Sequence, residues 1–330
     1  MSPASLLAGA ASAAEKTNFE GVMVYRSGGA TEVLHVTHRF KDGEQSEHLV
    51  TLTGTPRELI RVGNRLTCIL PRGHRLDLHR PSNKNLLASL RGPGLARVGQ
   101  WYRFSSLEAA RVAGRKCLGV AVEPKDQYRY GYRIWLDAAT KLPLRVVLMG
   151  RGAQVLEQVM FTQVAFPATI PDSAFAPRFR QDGGYRVVHQ ELGTDPAPGG
   201  VVTTQPADDL WRFSALPPGF RVSVRDQRPL PGKHGHVDHL MLTDGLSTVS
   251  VFSTQIETGQ PQFVGLLRIG ATHAYGRSLD GYHVTVVGEA PSRTIRMIGE
   301  AITPAAAASV SPSPTLAPSG AAVVRATASR

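Results

Sequence analysis

The sequence lacks any long apolar run, and this absence sets the first limit on its class. No stretch reaches the roughly 18–20 continuous apolar residues that a membrane-spanning helix requires. We therefore expect the folded protein to be soluble. An Ala-rich segment at residues 5–14 has the A-x-A-like close of a signal peptide but no Lys or Arg before it. It is interpreted as a signal-peptide remnant, with a disordered leader as the alternative.

Cysteine is almost absent, because Cys68 and Cys117 are the only two. Neither sits in a C-x-x-C motif, and two thiols exclude a four-cysteine zinc site. Each lies in a strand-like apolar run. Two alternatives stay open: a disulfide between neighbouring strands of an exported protein, or two buried free thiols.

Motifs for catalysis are missing as well. The sequence has no phosphate loop, dinucleotide-binding fingerprint, nucleophile elbow or H-E-x-x-H helix. Three histidines crowd residues 234–239, but the nearby Pro231-Gly232 and Gly235 indicate a loop without rigid ligand geometry. We therefore predict no catalytic residue, no metal and no cofactor. These absences favour a binding protein over an enzyme.

Aromatic residues are few, at 7% of the chain, and they do not alternate with basic residues as in RNA-binding proteins. The net charge of +11 is nevertheless strongly basic. Residues 17–178 contain 23 Lys and Arg against 13 Asp and Glu, whereas residues 208–303 contain 9 of each kind. A basic first half attracts polyanions in general. Because stacking residues are scarce, we predict no nucleic-acid partner.

Glycine and proline are plentiful, at 33 and 23 residues, and they separate short runs in which apolar and polar residues alternate. This pattern predicts antiparallel strands joined by tight turns, such as the hairpin signal Asp42-Gly43. One helix is predicted over residues 106–113, with Ser106 as its N-cap. A second is predicted over residues 291–302, with Ser292 as its N-cap and Ile295, Ile298 and Ile302 on one face.

Changes in composition divide the chain. Residues 179–207 are rich in Gly, Pro, Asp and Thr, which is typical of a linker. Residues 304–330 are Ala, Ser and Pro with almost no large side chain, which predicts disorder. We therefore predict a leader at 1–16, a first domain at 17–178, the linker, a second domain at 208–303, and a disordered tail.

A series of short motifs resembles the MucB/RseB family of periplasmic sigma-E regulators across nearly all of residues 17–303. Their order and spacing together carry the resemblance. The motifs are Phe19-Glu20-Gly21-x-x-Val24-Tyr25, Leu52-x-Gly54-x-Pro56-Arg57-Glu58-Leu59-Ile60-Arg61, Tyr132-Arg133-Ile134-Trp135-Leu136-Asp137, Lys141-Leu142-Pro143-Leu144-Arg145, Leu216-Pro217-Pro218-Gly219-Phe220, Arg228-Pro229-Leu230-Pro231, Thr243-Asp244-Gly245-Leu246 and Val286-Val287-Gly288-Glu289-x-Pro291.

The resemblance implies a mainly β (α+β) protein. Its first domain is expected to be a half-open antiparallel β-barrel like the lipoprotein carriers LolA and LolB, with inward positions such as Val22, Val24, Leu34 and Val36 left partly uncovered. The smaller C-terminal domain is expected to pack a β-sheet against a helix.

The resemblance also implies a function. Such a protein lies in the periplasm, binds the periplasmic part of a transmembrane anti-sigma factor of the RseA/MucA type, and protects it from regulated proteolysis. Lipopolysaccharide or lipoprotein acyl chains are expected to release it. A periplasmic lipoprotein or lipid carrier of the LolA type is the alternative, against which the second domain argues, and homo-oligomer formation stays open.

Two groups of residues fit this scheme as candidate contacts. A basic run that contains three leucines would meet lipid phosphates and acyl chains, with a solvated basic loop as the alternative. In the second domain Arg225 and Arg228 are candidate partner contacts, whereas Asp244-Gly245 is interpreted as a plain hairpin turn. The lipid- or anion-binding candidates are Arg72, Arg75, Arg80, Lys84, Leu86, Leu87, Leu90 and Arg91.

Overall fold

The computed structural model describes residues 1–71, 90, 93–179, 184–191, 202–203, 210–229, 236–256 and 262–305. Their backbone forms an eleven-stranded sheet, a seven-stranded sheet and a two-stranded ribbon. A few helices pack on these sheets. The predicted mainly β architecture, with a larger open sheet and a smaller sheet-and-helix domain, is confirmed.

The first domain is one antiparallel sheet whose two edges, β11 and β6, do not pair with each other. Its strand order is β11-β5-β4-β3-β2-β1-β10-β9-β8-β7-β6, so the barrel stays half open. The strands are β1 (Phe19–Ser27), β2 (Ala30–Lys41), β3 (Glu44–Thr51), β4 (Glu58–Val62), β5 (Arg65–Pro71), β6 (Tyr102–Val112), β7 (Arg115–Pro124), β8 (Gly131–Asp137), β9 (Pro143–Met149), β10 (Val155–Ala165) and β11 (Tyr185–Glu191).

The turn chemistry of the sequence sets much of this meander. Asp42 and Gly43 join β2 to β3 with φ of 53° and 84°, the left-handed geometry that a two-residue hairpin requires.

The alternation of apolar and polar residues in β1 and β2 was less informative about which face of the sheet is inward. Val22 pairs with His35 and Val24 with Val33, so both lie on the face opposite to the buried Leu34 and Val36. The expectation of one shared inward face for all four is therefore wrong.

The predicted helix at residues 106–113 is also wrong, because this segment is the second half of β6. It pairs with β7 from Tyr102 opposite Pro124 to Val112 opposite Arg115. A register shift between Leu107 and Ala110 interrupts the period-2 pattern of the strand. Because the alternation is interrupted there, the Ser and Glu residues of this segment resemble the start of a helix.

The expected leader is instead a structural helix, α1 (Pro3–Lys16). The hydroxyl of Ser2 accepts the backbone N–H of Ser5, and Pro3 occupies the first turn, where its missing N–H costs nothing. One face of α1, formed by Leu6, Leu7, Ala10 and Ala11, is buried in the core of the first sheet. The segment therefore belongs to the folded domain.

The core under α1 joins the helix to the middle of the sheet. It includes Val120 of β7, Ile134 and Leu136 of β8, and Val98 of a second helix, α2 (Pro93–Trp101). Each of these four side chains is fully buried. Together α1 and α2 cover this apolar face.

The second domain packs a seven-stranded sheet against a helix, α3 (Ser292–Ala301). The predicted helix is confirmed, and Ile295, Ile298 and Ile302 are all fully buried. Its cap position is Pro291 and not Ser292. In the order β12-β14-β15-β16-β19-β18-β17 the strands are β12 (Val202–Thr203), β14 (Arg221–Pro229), β15 (His236–Thr243), β16 (Thr248–Gln255), β19 (Tyr282–Gly288), β18 (Thr272–Leu279) and β17 (Gly265–Ile269).

Both ends of the predicted linker belong to sheets. Strand β11 pairs antiparallel with β5, and β12 pairs parallel with β14 of the second domain. The ribbon of β13 (Trp211–Phe213) and β20 (Ile302–Pro304) then closes the second domain beyond α3. Within the described residues no helix combines the length and the apolar character needed to cross a membrane.

Candidate functional site at the joint between the domains

The predicted lipid-binding run falls almost wholly outside the described residues. Arg72, Arg75, Arg80, Lys84, Leu86, Leu87 and Arg91 lie there, and Leu90 alone is described. Leu90 is fully buried in the core that contains Leu6 and Leu7 of α1 and Val98 of α2. Of the predicted lipid-binding residues, Leu90 is thus placed in the core under the helix-covered face of the first sheet.

The two cysteines are free and buried. Cys68 lies on β5 and Cys117 on β7, and seven strands of the sheet separate β5 from β7. A disulfide joins residues whose Cα atoms are about 5.5–6 Å apart, close to the spacing of adjacent strands. Of the two alternatives, a disulfide between neighbouring strands is therefore excluded, and the cysteines are buried free thiols. Burial raises the pKa of both thiols, which keeps them protonated.

The candidate partner residues Arg225 and Arg228 both lie on β14. Nη1 of Arg225 donates to the backbone carbonyl of Trp211 at 3.3 Å, so this guanidinium helps to hold β13. In the neighbouring strand β15, His239 lies between Asp226 and Ser250, with ring-nitrogen distances of 2.7 and 3.1 Å.

The main polar contact between the domains centres on Arg129, in the loop before β8. Its side chain is fully buried, and its Nη1 lies 3.0 Å from Oδ2 of Asp244, which is also fully buried. Its Nε lies 3.1 Å from Asp126, and its Nη2 donates to the carbonyl of Pro218 in the second domain. We call this cluster, together with the aromatic rings described next, the arginine contact.

Asp244 is an acceptor on both oxygens. Oδ2 also accepts the hydroxyl of Tyr102 at 2.9 Å, and Oδ1 accepts the backbone N–H groups of Leu246 and Ser247 at 2.8 Å each. Burial raises the pKa of Asp244, while Arg129 and these donors act in the opposite direction. A carboxyl that accepts four hydrogen bonds and donates none is held as the carboxylate.

Three aromatic rings surround the guanidinium of Arg129. Its Cζ lies 5.2 Å from the ring centre of Trp101, and 5.5 Å from those of Tyr102 and Phe220. These distances are within cation–π range, and Phe220 comes from the second domain. Gly219 has φ of +80°, and a Cβ there would stand 2.3 Å from Cε2 of Trp101. Only glycine lets the backbone approach this ring.

A second polar contact joins β10 to the end of β19, and we call it the carboxyl contact. Glu157 lies on β10 of the first domain, and its charge acts on Glu289 of the second domain. Glu157 also accepts the hydroxyl of Tyr25 at 3.0 Å and that of Ser27 at 2.7 Å. Burial, and then the charge of Glu157, raise the pKa of Glu289 to about 8.

Apolar packing flanks the carboxyl contact. Ala271, from the β17–β18 turn of the second domain, is fully buried against Tyr130, Leu148 and Leu156 of the first. The hydroxyl of Tyr130 lies 3.4 Å from Nδ1 of His273, and burial raises the pKa of Tyr130 to about 12. The two domains therefore meet through ionic, hydrogen-bonded and apolar contacts, which together form the joint.

The outer edge of the second sheet exposes apolar side chains. Strand β17 is the last strand in the sheet order, and Leu266, Leu267 and Ile269 are 41%, 46% and 71% exposed. Beside it a groove of about 570 Å³ is lined by Leu266 and by Arg293, Arg296 and Met297 of α3. An edge strand with apolar side chains and open backbone groups is a surface to which an extended peptide can add.

Comparison with known families covers both domains. A model of the MucB/RseB N-terminal domain matches residues 2–179, and a model of the MucB/RseB C-terminal domain matches residues 205–303. The chain belongs to the MucB/RseB family. The first match includes α1, in agreement with the burial of that helix in the domain core.

Curated members of the MucB/RseB family are similar over most of their length. The sigma factor AlgU regulatory protein MucB of Pseudomonas aeruginosa is 33% identical over 306 residues, which are 90% of each chain. The sigma-E factor regulatory protein RseB of Salmonella typhimurium is 30% identical over 298 residues, 88% of this chain and 87% of RseB.

Solved structures of the family match the whole two-domain fold. The complex of Pseudomonas aeruginosa MucA and MucB matches with a TM-score of 0.71 at 28% identity, covering 92% of this chain and 99% of that one. A structure of MucB in complex with MucA(peri) matches with a TM-score of 0.69 at 29% identity and the same coverage.

Sequence reasoning missed the residues of the joint in this family member. The Asp244-Gly245 signal is a hairpin turn, as predicted, since the N–H of Asp244 donates to Ser247 at 3.3 Å between β15 and β16. The same aspartate is also the buried partner of Arg129, 115 positions earlier in the chain. One signal was present: Asp244, Gly219 and Glu289 all lie in the motifs that carry the family resemblance.

Proposed function

We propose that this protein is a non-catalytic periplasmic regulator of an envelope-stress sigma factor, acting by binding the periplasmic part of a membrane anti-sigma factor of the RseA/MucA type. The observation that carries the proposal is the match over 92% of the chain to MucB as it occurs in complex with MucA. Binding protects the anti-sigma factor from regulated proteolysis. Lipopolysaccharide or lipoprotein acyl chains reverse it.

Charge and burial support different roles for the two domains. The net positive charge lies in the first domain, where anionic lipid phosphates would be attracted. Arg72, Arg75, Arg80, Lys84 and Arg91 are the residues we assign to the lipid phosphates, and Leu90 of the same run is buried in the core under α1 and α2. The joint then transmits the event, because it links the first sheet directly to the second domain.

The second domain holds the partner in this proposal. Arg225 and Arg228 on β14 and the exposed edge strand β17 are the contacts we assign to it. A segment of the anti-sigma factor adds to β17, its apolar side chains cover Leu267 and Ile269, and acidic residues meet Arg293 and Arg296 in the groove.

Isothermal titration of the full chain with the purified periplasmic segment of an RseA/MucA-type protein tests the function. We expect saturable binding, slower cleavage of the bound segment by its initiating protease, and release on addition of lipopolysaccharide. Failure of the two to bind would overturn the proposal. Transfer of a labelled lipoprotein between membranes without such binding would favour the carrier alternative.

A matched pair of double variants tests the assignment of β17 separately. Leu267→Thr with Ile269→Thr removes apolar surface and keeps β propensity, and we expect at least tenfold weaker binding. The control is Val62→Thr with Val155→Thr, which changes two first-domain side chains that are 44% and 57% exposed. Equal affinities for the two double variants would reject β17 as the docking edge and leave the function itself intact.

A further inference from the structure

One turn of the second domain reaches into the core of the first. The turn between β15 and β16, residues 244–247, carries Leu246, whose side chain is only 8% exposed. Leu246 is buried in the apolar cluster that also contains Leu7 of α1, Leu90, and Val98 of α2. Among the described residues of this cluster, Leu246 alone comes from the second domain. The core of the first domain is therefore completed by a side chain of the second.

The backbone of the same turn packs against α2. Gly245 has φ of +107°, and a Cβ there would stand 3.1 Å from Cγ2 of Val98. Trp101, the last residue of α2, packs on Gly219 of the second domain. Helix α2 thus contacts the second domain at two positions, and it begins three residues after the buried Leu90. A ligand that displaced α2 would disturb both contacts with the second domain.

Hydrogen bonds within the second domain hold the turn in shape. Oδ1 of Asp244 accepts the backbone N–H groups of Leu246 and Ser247 at 2.8 Å each. Oδ2 of the same carboxylate bonds to the first domain instead, at Tyr102 and Arg129. Withdrawal of the turn would break the bonds to Oδ2 and keep the bonds to Oδ1. The turn can therefore leave the first domain as a unit, without changing its own conformation.

An acyl chain has the same chemistry as the side chain that fills this place. Both are saturated hydrocarbon, and burial of either is favoured because apolar surface is removed from water. The buried side chains of the cluster are each at most 8% exposed, and a core packed to this degree has no room for an added chain. An acyl chain can enter only if a present occupant leaves. Leu246 is the occupant whose withdrawal leaves α1 and every strand of the first sheet in place.

We propose that residues 244–247 are a plug in the core beneath α1 and α2, and that the plug and a lipid acyl chain exclude each other from this core. The inference rests on the proposed function for the identity of the ligand. When the acyl chain enters, Leu246 and Asp244 withdraw together, so the arginine contact opens and the domains separate. Coupling of this kind is reciprocal, so a closed joint weakens acyl binding by the same factor by which the acyl chain weakens closure.

A reversible cross-link tests the plug in the full chain. In the double variant Val98→Cys with Gly245→Cys, the close approach of the two positions allows a disulfide that fixes the plug in the core. Dansylundecanoic acid, a fluorescent acyl probe, is titrated into the oxidised and the reduced forms of this one variant. We expect at least tenfold weaker binding of the probe to the oxidised form. Equal affinities of the two forms would overturn the proposal.

Leu246→Ala gives a second test that needs no cross-link. A smaller plug competes less with the probe, so we expect the probe to bind at least about threefold more tightly than to the wild type. The matched control is Leu242→Ala, which removes the same atoms from the core of the second domain, where Leu242 is fully buried. An equal gain in the two variants, or no binding of the probe to Leu246→Ala, would overturn the proposal.

Two further measurements separate the plug from the function on which it rests. Small-angle X-ray scattering should show a radius of gyration that increases when the probe is added to the reduced double variant and stays constant in the oxidised one. Isothermal titration with the anti-sigma segment reports the proposed function independently. A segment that binds normally, together with a probe that binds both forms equally, would reject the plug and retain the function.

The source of the acyl chain is tested by competition. Lipid A and a triacylated lipopeptide are each added to the complex of the wild-type protein with the probe. Displacement of the probe by one of them supports the proposal and identifies whether lipopolysaccharide or lipoprotein supplies the chain. Displacement by neither would overturn it.

Discussion

The two contacts of the domain joint use charge in opposite ways. The arginine contact pairs unlike charges, with Arg129 and Asp244 fully buried among aromatic rings and each guanidinium nitrogen of Arg129 donating to an acceptor. The carboxyl contact brings like groups together, and burial and the charge of Glu157 raise the pKa of Glu289 to about 8. The first contact should hold the domains at any pH near neutrality, whereas the second should adjust with conditions. A joint that combines the two can change its stability without separating entirely.

The arginine contact should be the more costly one to break. Replacing Asp244 by Ala leaves Arg129 buried without its main counter-charge, and we expect the free energy of unfolding to fall by about 3–5 kcal/mol. Urea denaturation monitored by tryptophan fluorescence measures this loss.

Asp172→Ala is the matched control for Asp244→Ala. It removes the aspartate of an ion pair with Arg39 in which the Asp172 side chain is 85% exposed. We expect a much smaller loss there than in Asp244→Ala, because solvent screens the exposed pair. Equal losses for the two variants would show that burial does not distinguish the arginine contact.

Disturbing the close approach of the second domain to Trp101 should cause the next largest loss in the free energy of unfolding. Gly219→Ala places a Cβ within van der Waals overlap of the ring and forces a left-handed conformation on alanine. We expect a loss of about 2–3 kcal/mol, from strain and overpacking together. Gly43→Ala has the same left-handed strain at φ +84° with no atom within 4 Å, so it should lose about 1 kcal/mol. Comparing the thermal melts of the two variants separates the stability lost to the ring contact from the stability lost to the left-handed strain.

The carboxyl contact should make the stability of the protein pH dependent. Because the pKa of Glu289 is raised in the folded joint, its contribution is full below about pH 4.5 and is lost as the pH rises through about 8. We expect the free energy of unfolding to fall by about 1 kcal/mol per pH unit in this window, below the limit of about 1.4 for one whole proton. In Glu289→Gln this component of the slope should vanish, as urea titrations at pH 5, 6, 7 and 8 would show.

The smallest effect is expected where the joint relies on a single neutral hydrogen bond. Tyr130→Phe removes the long 3.4 Å contact with His273 and keeps the ring in its apolar cluster. We expect a loss of about 0.5 kcal/mol. A loss above about 2 kcal/mol would mean that the Tyr130 hydroxyl, and not the carboxyl pair, anchors this side of the joint.

Local patterns predicted most of the strands because alternation and turn residues are local signals. Asp42-Gly43 forms the expected hairpin between β2 and β3. Such signals failed where a register shift disturbs the alternation, as at Leu107 and Ala110. They failed again at α1, where small apolar residues fit both an exported leader and a helix that packs closely on a sheet.

The other features of the candidate site depend on contacts with residues that are distant in the sequence. Cys68 and Cys117 both lie in strands, as their apolar neighbours indicated, but only the strand order shows that the strands are far apart. In the sequence Leu90 lies among basic residues. Its burial under α1 depends on residues more than 80 positions earlier in the chain. The candidate contacts Arg225 and Arg228 stay predictions on β14.

The sequence by itself determined the mainly β class, most strand positions, the basic first domain and the family. These properties depend on short-range periodicity, composition and ordered motifs, which a single chain displays directly. The tertiary structure alone decided the joint. Arg129 and Asp244 are separated by 115 positions, and Glu157 and Glu289 belong to different domains. Their meeting, their burial and the raised pKa of Glu289 arise only when the two sheets pack against each other, because desolvation and pairing act through space and not along the chain.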